Sequence, residues 1–169
     1  PDALYKEGLV EKPRVFAGNR LVLAVPAGGN KVKSLDDLRG KGVTLAIGSA
    51  SVPVGAYTRT VLARLPAPES KAILGNVRSN EPDVGGVVGK LTQGAVDAGF
   101  VYASDVKGAK GKIRGIDLPA ALQPRVAYGV AIVKGTRHRD AAMAFVEALV
   151  SGRGQDDLRS AGFEPPPGG

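Results

Sequence analysis

The segment SASVPVGAY (49–57) has the composition of an anion-binding helix start. Ser51 can cap a helix there, and Pro53 fits the first turn, where its missing N–H costs nothing. The backbone N–H groups of Val54 and Gly55 then have no partner inside the helix, and the helix dipole adds positive potential behind them. These N–H groups could therefore bind an anion. A plain capped helix start is the structural alternative, and this segment alone does not decide between the two.

Two further segments offer donors of the same neutral kind. Asp83 is a natural cap for the helix that follows it, which leaves the N–H of Val84 free in the first turn. Tyr102 ends the apolar segment AGFVY (98–102), where its hydroxyl can donate to a ligand oxygen or its ring can pack against a core. Taken one at a time, each of the three segments also fits an ordinary structural role, a plain helix start or core packing.

The elements that must position these donors indicate an α/β fold. Apolar strands such as RLVLAVP (20–26) and VTLAIG (43–48) alternate with helical patterns such as DVGGVVGKLTQG (83–94). This alternation predicts a mostly parallel sheet flanked by helices, with ligands bound at the carboxyl ends of the strands. The segment KAILGNVRSNEP (71–82) is expected to be mostly connection.

Composition and spacing exclude several function classes. The 169 residues include no cysteine, which rules out disulfides, thiolate metal sites and a cysteine nucleophile. They include one histidine, which disfavours metal or acid–base chemistry based on histidine. The net charge of +7 is scattered, and no nucleic-acid motif accompanies it. GGVVGKLT (85–92) has the wrong spacing for a phosphate-binding P-loop. Without a catalytic constellation, a metal-ligand pattern or a membrane-spanning segment, the sequence predicts a binding protein without a cofactor rather than an enzyme.

In sequence the chain resembles the periplasmic molybdate-binding proteins of bacterial ABC importers, which are type II solute-binding proteins. The resemblance lies in GNRLVLAVP (18–26), KSLDDLRGKGVTLAIG (33–48), SVPVGAY (51–57), DAGFVYASD (97–105), VAYGVAIVKG (126–135) and SGRGQDDLRSAGF (151–163). In that family two lobes close over a tetrahedral oxyanion that neutral donors hold. The resemblance implies donors at the backbone of Val54 and Val84 and at the Tyr102 hydroxyl, with Val77 a weaker candidate than Val84.

The same resemblance implies a division into lobes. Residues 1–26 would be part of lobe 1 without its first strands, 27–126 a complete lobe 2, 127–163 the return to lobe 1, and 164–169 a disordered tail. The family's two ligand-binding serines would precede residue 1. Weak or absent binding by this chain alone is therefore expected, together with a homo-oligomer or strand exchange through the exposed sheet edge.

The resemblance also implies a function in transport. The protein would capture molybdate or tungstate in the periplasm or at the cell envelope and pass it to the permease of an ABC transporter. Nucleic acid is not an expected partner. Two alternatives stay open: a binder of another oxyanion, such as sulfate or phosphate, and the effector-binding domain of a transcription regulator with the same two-lobe fold.

Overall fold

The computed structural model describes residues 1–167 and divides the chain into two compact units. Unit 1 comprises residues 1–19 and the chain from residue 125 onward, and unit 2 comprises residues 20–124. The chain passes from unit 1 into unit 2 and back. These boundaries lie at 19/20 and 124/125 rather than at the predicted 26/27 and 126/127, so the strand at 21–26 belongs to unit 2.

Helices and strands alternate through most of unit 2, and the predicted α/β class is confirmed. In chain order the elements are α1 (Asp2–Lys6), β1 (Arg14–Asn19), β2 (Leu21–Pro26), β3 (Leu45–Gly48), α2 (Pro53–Ala63), α3 (Ala67–Gly75), β4 (Val77–Glu81), α4 (Val84–Thr92), β5 (Ala98–Tyr102), α5 (Ala103–Gly108), β6 (Ile113–Asp117), β7 (Val126–Val130), α6 (Arg139–Val150) and α7 (Gly152–Ser160), with 3₁₀ turns at Asp36–Arg39 and Ala120–Leu122. None of the helices described within residues 1–167 has the length and apolar character needed to cross a membrane.

Unit 2 is built on a five-stranded sheet with the order β4-β3-β5-β2-β6. Strand β3 runs parallel to both β4 and β5, whereas β2 runs antiparallel to β5 and β6. The sheet is therefore mixed rather than mostly parallel, because β2 enters between β5 and β6 in the opposite direction. The parallel half, β4-β3-β5, contains the three strands that lead into the candidate donors.

Helices cover both faces of this sheet. Val87 and Leu91 of α4 pack with Val22, Ala46 and Val101 in one buried cluster. Successive strand residues point to opposite faces, so residue 102 of β5 faces away from that cluster. On this second face the ring of Tyr102 meets that of Tyr57 from α2. The sheet edge therefore separates the start of α2 from the start of α4.

The segment at 71–82 and the C-terminal residues differ from their predictions. Instead of mostly connection, residues 71–82 contain the end of α3 and the whole of β4. Residues 164–167 are not a disordered tail. Glu164 and Gly18 exchange backbone hydrogen bonds of 2.8 and 3.0 Å, and the Arg125 guanidinium donates to the Pro167 carbonyl at 2.7 Å. Residues 168–169 of the predicted tail lie outside the described residues.

Unit 1 buries much less apolar surface than unit 2. It contains the antiparallel pair of β1 and β7 with α1, α6 and α7, and α6 buries only Val146. Seven of the eight large hydrophobic side chains that are exposed in the described part of the chain belong to it: Leu4, Tyr5, Leu9, Val15, Val133, Met143 and Phe145. A two-stranded sheet is marginal by itself. The expected homo-oligomer or strand exchange stays a prediction.

Asp97 ties the start of β5 to the start of β3. Its Oδ2 accepts hydrogen bonds from the backbone N–H and the hydroxyl of Thr44, both at 2.8 Å, and from the Lys31 ammonium at 2.9 Å. Burial would raise the pKa of Asp97, but the hydrogen bonds from Lys31 and Thr44 outweigh burial and hold the pKa below its usual value. The ionised carboxylate is therefore part of the fold.

Replacing Asp97 with asparagine should lower the free energy of unfolding by about 2 kcal/mol at neutral pH, since the charged acceptor of three hydrogen bonds is lost. The folded-state pKa of Asp97 is lowered, so its contribution is complete above the unfolded-state value near 3.8 and disappears as the pH falls below it. Urea unfolding at several pH values should show that the difference in free energy of unfolding between the wild type and Asp97→Asn shrinks in acid. The exposed Asp36→Asn is the control, and parallel pH profiles for wild type and Asp97→Asn would contradict the linkage.

Candidate anion-binding site

The candidate donors follow three strands that are parallel neighbours. The carboxyl ends of β4, β3 and β5 are Glu81, Gly48 and Tyr102, and the order β4-β3-β5 brings them to one edge of the sheet. The backbone N–H of Ser49, directly after β3, donates to the Glu81 carbonyl at 2.8 Å, which continues the pairing of β3 with β4 past the last strand residue. Open α/β sheets bind ligands at such an edge.

Helix α2 begins one residue later than the capping prediction requires. Its N-cap is Val52 in an extended conformation, without a side-chain cap, and the Ala56 N–H donates to the Val52 carbonyl at 3.0 Å. The prediction that Ser51 caps α2 is therefore wrong, because Ser51 lies outside the cap position and its hydroxyl pairs with that of Ser49 at 3.2 Å. The helix start keeps this exposed pair of hydroxyls beside it.

Val54 and Gly55 occupy the second and third positions of α2, and both are buried. An α-helix offers no acceptor to N–H groups in its first turn, so these two amides have no intrahelical acceptor. The main chain is packed tightly here. A Cβ added to Gly55 would lie 1.9 Å from the Ser49 carbonyl oxygen and 2.4 Å from that of Gly48. The first turn of α2 is thus held directly against the end of β3.

Helix α4 begins as the sequence predicts. Asp83 is the N-cap, and its Oδ1 accepts a hydrogen bond from the Gly86 N–H at 2.8 Å. Val84 is the first helical residue, so its N–H has no intrahelical acceptor either. The Val77 alternative begins β4 and pairs with Leu45 at the start of β3, so it lies at the opposite edge of the sheet.

Glu81 places a second carboxylate beside α4. It accepts a hydrogen bond from the Ser79 hydroxyl, and a Cβ added to Gly86 would lie 2.7 Å from its Oε2. With the Asp83 cap, two carboxylates border the first turn of α4. Negative charge beside a helix start lowers the positive potential that the start offers to an anion.

Tyr102 ends β5 and is 8% exposed. Its ring stands edge-on to Tyr57 of α2, with 6.5 Å between centroids and 79° between planes, which fixes the ring on the α2 side of the sheet edge. The backbone N–H of Tyr102 donates to Asp105 Oδ2 at 2.8 Å. Burial raises the pKa of Asp105, while this hydrogen bond acts in the opposite direction. The strand end is therefore anchored to the start of α5.

Arg59 is a residue of this region that the sequence-based interpretation missed. Its guanidinium donates to the carbonyl oxygens of Gly48 and Gly55 at 2.9 and 3.2 Å, and to Asn80 Oδ1 at 3.1 Å. The sequence signal for this residue was its position four residues after Gly55, since a side chain at i+4 returns to the same face of a helix. Within residues 1–167, no group of three or more His, Asp or Glu side chains is arranged to hold a metal ion.

The family model described as bacterial extracellular solute-binding protein matches residues 1–164. Molybdate-binding protein ModA of Mycobacterium tuberculosis is 31% identical over 167 residues, which are 98% of this chain and 62% of that protein. The chain thus spans about three fifths of the length of this curated relative.

The solved structures that share the fold include two molybdate-type binding proteins by their names. The substrate-binding domain of a putative molybdenum ABC transporter from Clostridium difficile has a TM-score of 0.80 and 28% identity, covering 97% of this chain and 72% of that one. The periplasmic molybdate-binding protein of Azotobacter vinelandii has a TM-score of 0.82 and 24% identity, covering 98% of this chain and 74% of that one.

Proposed function

Because the chain belongs to the bacterial extracellular solute-binding proteins, we propose that it binds a tetrahedral oxyanion outside the cytoplasm and delivers it to the permease of an ABC importer. The family is one of binding proteins and not of enzymes, in agreement with the interpretation of the sequence. Within this proposal the ligand is molybdate or tungstate. The names of the relatives in M. tuberculosis and C. difficile support that choice.

The observation that supports the proposal is that three parallel neighbouring strands end at one edge of the sheet, each leading to a candidate donor. The parallel strands β4, β3 and β5 lead to the start of α4, the start of α2 and Tyr102 respectively. We assign the N–H groups of Val54, Gly55 and Val84 and the Tyr102 hydroxyl as ligand donors, with Ser51 as a further hydroxyl beside α2. Several aimed donors offset the cost of removing a dianion from water.

Neutral donors also suit a protein that must release its ligand. A salt bridge between a buried dianion and a full opposite charge is costly to break, whereas hydrogen bonds from amides and hydroxyls are individually weaker. Sulfate has the same shape and charge as molybdate but shorter bonds to oxygen. Discrimination between the two would therefore depend on how far apart the donors are held.

Calorimetric titration with molybdate, tungstate and sulfate tests this function. The titration needs protein concentrations at which weak binding is measurable. We expect molybdate and tungstate to bind at least tenfold more tightly than sulfate, a difference of about 1.4 kcal/mol. Equal affinity for sulfate would refute the choice of molybdate, and no saturable binding of any of the three would show that these residues alone do not hold an oxyanion.

A further inference from the structure

Arg59 connects three elements at the edge where the candidate donors lie. One guanidinium nitrogen donates to the carbonyl of Gly48 at the end of β3 and to that of Gly55 in the first turn of α2. The second terminal nitrogen, Nη2, donates to the Oδ1 of Asn80 in β4. The fixed planar fork of arginine makes such multiple contacts possible, whereas a lysine ammonium is a point charge on a flexible chain. The two strands and the helix start are thereby joined by one side chain.

The contact between the first turn of α2 and the end of β3, which Arg59 bridges, is tightly packed. A Cβ added to Gly48 would lie 2.7 Å from the Gly55 nitrogen and 2.6 Å from Val54 Cγ1. The nitrogen of one candidate donor therefore stands almost in contact with the main chain of β3. Any movement of the first turn of α2 relative to β3 would change the direction of both the Val54 and Gly55 N–H groups, so their aim depends on what holds the turn in place.

Arg59 also brings a positive charge to this contact. Its three hydrogen-bond acceptors are two backbone carbonyls and a side-chain amide, none of which carries a charge. Arg59 is half-buried as a residue, so solvent screens its charge less than it screens that of a fully exposed cation. A dianion bound at the start of α2 would be attracted to this charge without a salt bridge to it.

We infer that Arg59 is a positioning residue for the proposed anion site, holding the first turn of α2 against β3 and adding fixed positive potential behind the donor N–H groups. This inference rests on the proposed function. It divides the electrostatics of the site between neutral donors in contact with the ligand and one cation that acts from behind the helix start.

Arg59→Met, Arg59→Lys and Arg64→Met separate these contributions. Arg64 is the C-cap residue of the same helix, α2. Its guanidinium donates to the carbonyls of Ala121 and Gln123 at 3.4 and 3.2 Å. It lies nine residues after Gly55, about 14 Å along the axis. Arg64→Met therefore removes the same charge from the same helix at a distance from the donors. Molybdate affinity is titrated at several salt concentrations, and amide exchange of Ala56 is followed in ligand-free protein, since its N–H makes the first hydrogen bond of α2.

Arg59→Met should weaken molybdate affinity about tenfold, flatten its salt dependence and accelerate Ala56 exchange. Arg59→Lys should restore the salt dependence and only part of the affinity, without the slow exchange, and Arg64→Met should stay within about twofold of wild type. Arg59→Met that matches Arg64→Met in affinity and exchange would overturn the inference. If the wild type binds no oxyanion, the assignment of these donors as a site in this chain fails, and unchanged Ala56 exchange in Arg59→Met would separately refute the positioning role.

Discussion

Gly55→Ala should destabilise the protein by about 3 kcal/mol or more, one of the largest effects available from adding a single methyl group. The new Cβ would lie 1.9 Å from the Ser49 carbonyl oxygen and 2.4 Å from the Gly48 carbonyl oxygen. Both atoms belong to the main chain, so no side chain can rotate away, and α2 must separate from β3. Urea-induced unfolding measures the loss, and molybdate binding should disappear with it.

Gly89→Ala is the matched control for this substitution. Gly89 also lies inside a helix, α4, but apart from the adjacent backbone of its own helix a Cβ added there meets no atom within 4 Å. Alanine is the better helix former, so Gly89→Ala should raise the free energy of unfolding by about 0.5–1 kcal/mol. Opposite signs for the two variants are expected. A Gly55→Ala variant as stable as the wild type would contradict the close packing of α2 on β3.

Val84→Pro should weaken molybdate binding at least tenfold while leaving the fold intact. Proline removes the N–H that we assign as a donor, and a lost hydrogen bond to a charged ligand costs about 1.5–3 kcal/mol. Val84 is the first residue of α4, the position that proline favours in helices. Asp83 before it is extended at φ −157° and ψ 177°, as a residue preceding proline must be. Calorimetry and urea unfolding of the same sample measure the two effects.

Val84→Ala is the control that keeps the N–H. Val84 packs against the buried cluster under α4, so truncating its side chain should cost about 1 kcal/mol of stability with no loss of affinity. The two variants should therefore separate binding from stability. Equal molybdate affinity in Val84→Pro and Val84→Ala would show that this N–H does not contact the ligand.

Local signals in the sequence predicted several elements of the site correctly. The Asp83 cap depends only on a side chain and an N–H three residues later, and the apolar run that ends at Tyr102 is one fully buried strand. Such features need no knowledge of distant residues. The assignment of Ser51 as a cap failed because Val52, with no side-chain donor or acceptor, takes the cap position when the Ala56 N–H bonds to its carbonyl.

Features that depend on distant pairing were not predictable in the same way. Strand β4, VRSNE, is half-exposed at the edge of the sheet, so it lacks the apolar pattern that identifies a strand. Strand β1 pairs with β7, more than a hundred residues later in the chain. The antiparallel direction of β2 follows from its neighbours β5 and β6, because the periodicity of a strand does not encode its direction.

A molybdate titration of isotope-labelled protein, followed through the backbone amide resonances, tests the central claim most directly. We expect the resonances of Val54, Gly55 and Val84 to shift together along one saturable curve, with Gly89 at the middle of α4 nearly unchanged. Such a result would show that the starts of α2 and α4 share one ligand. Shifts confined to the exposed basic segment between Lys107 and Arg114, or no saturable shift at the three donor positions, would contradict the account.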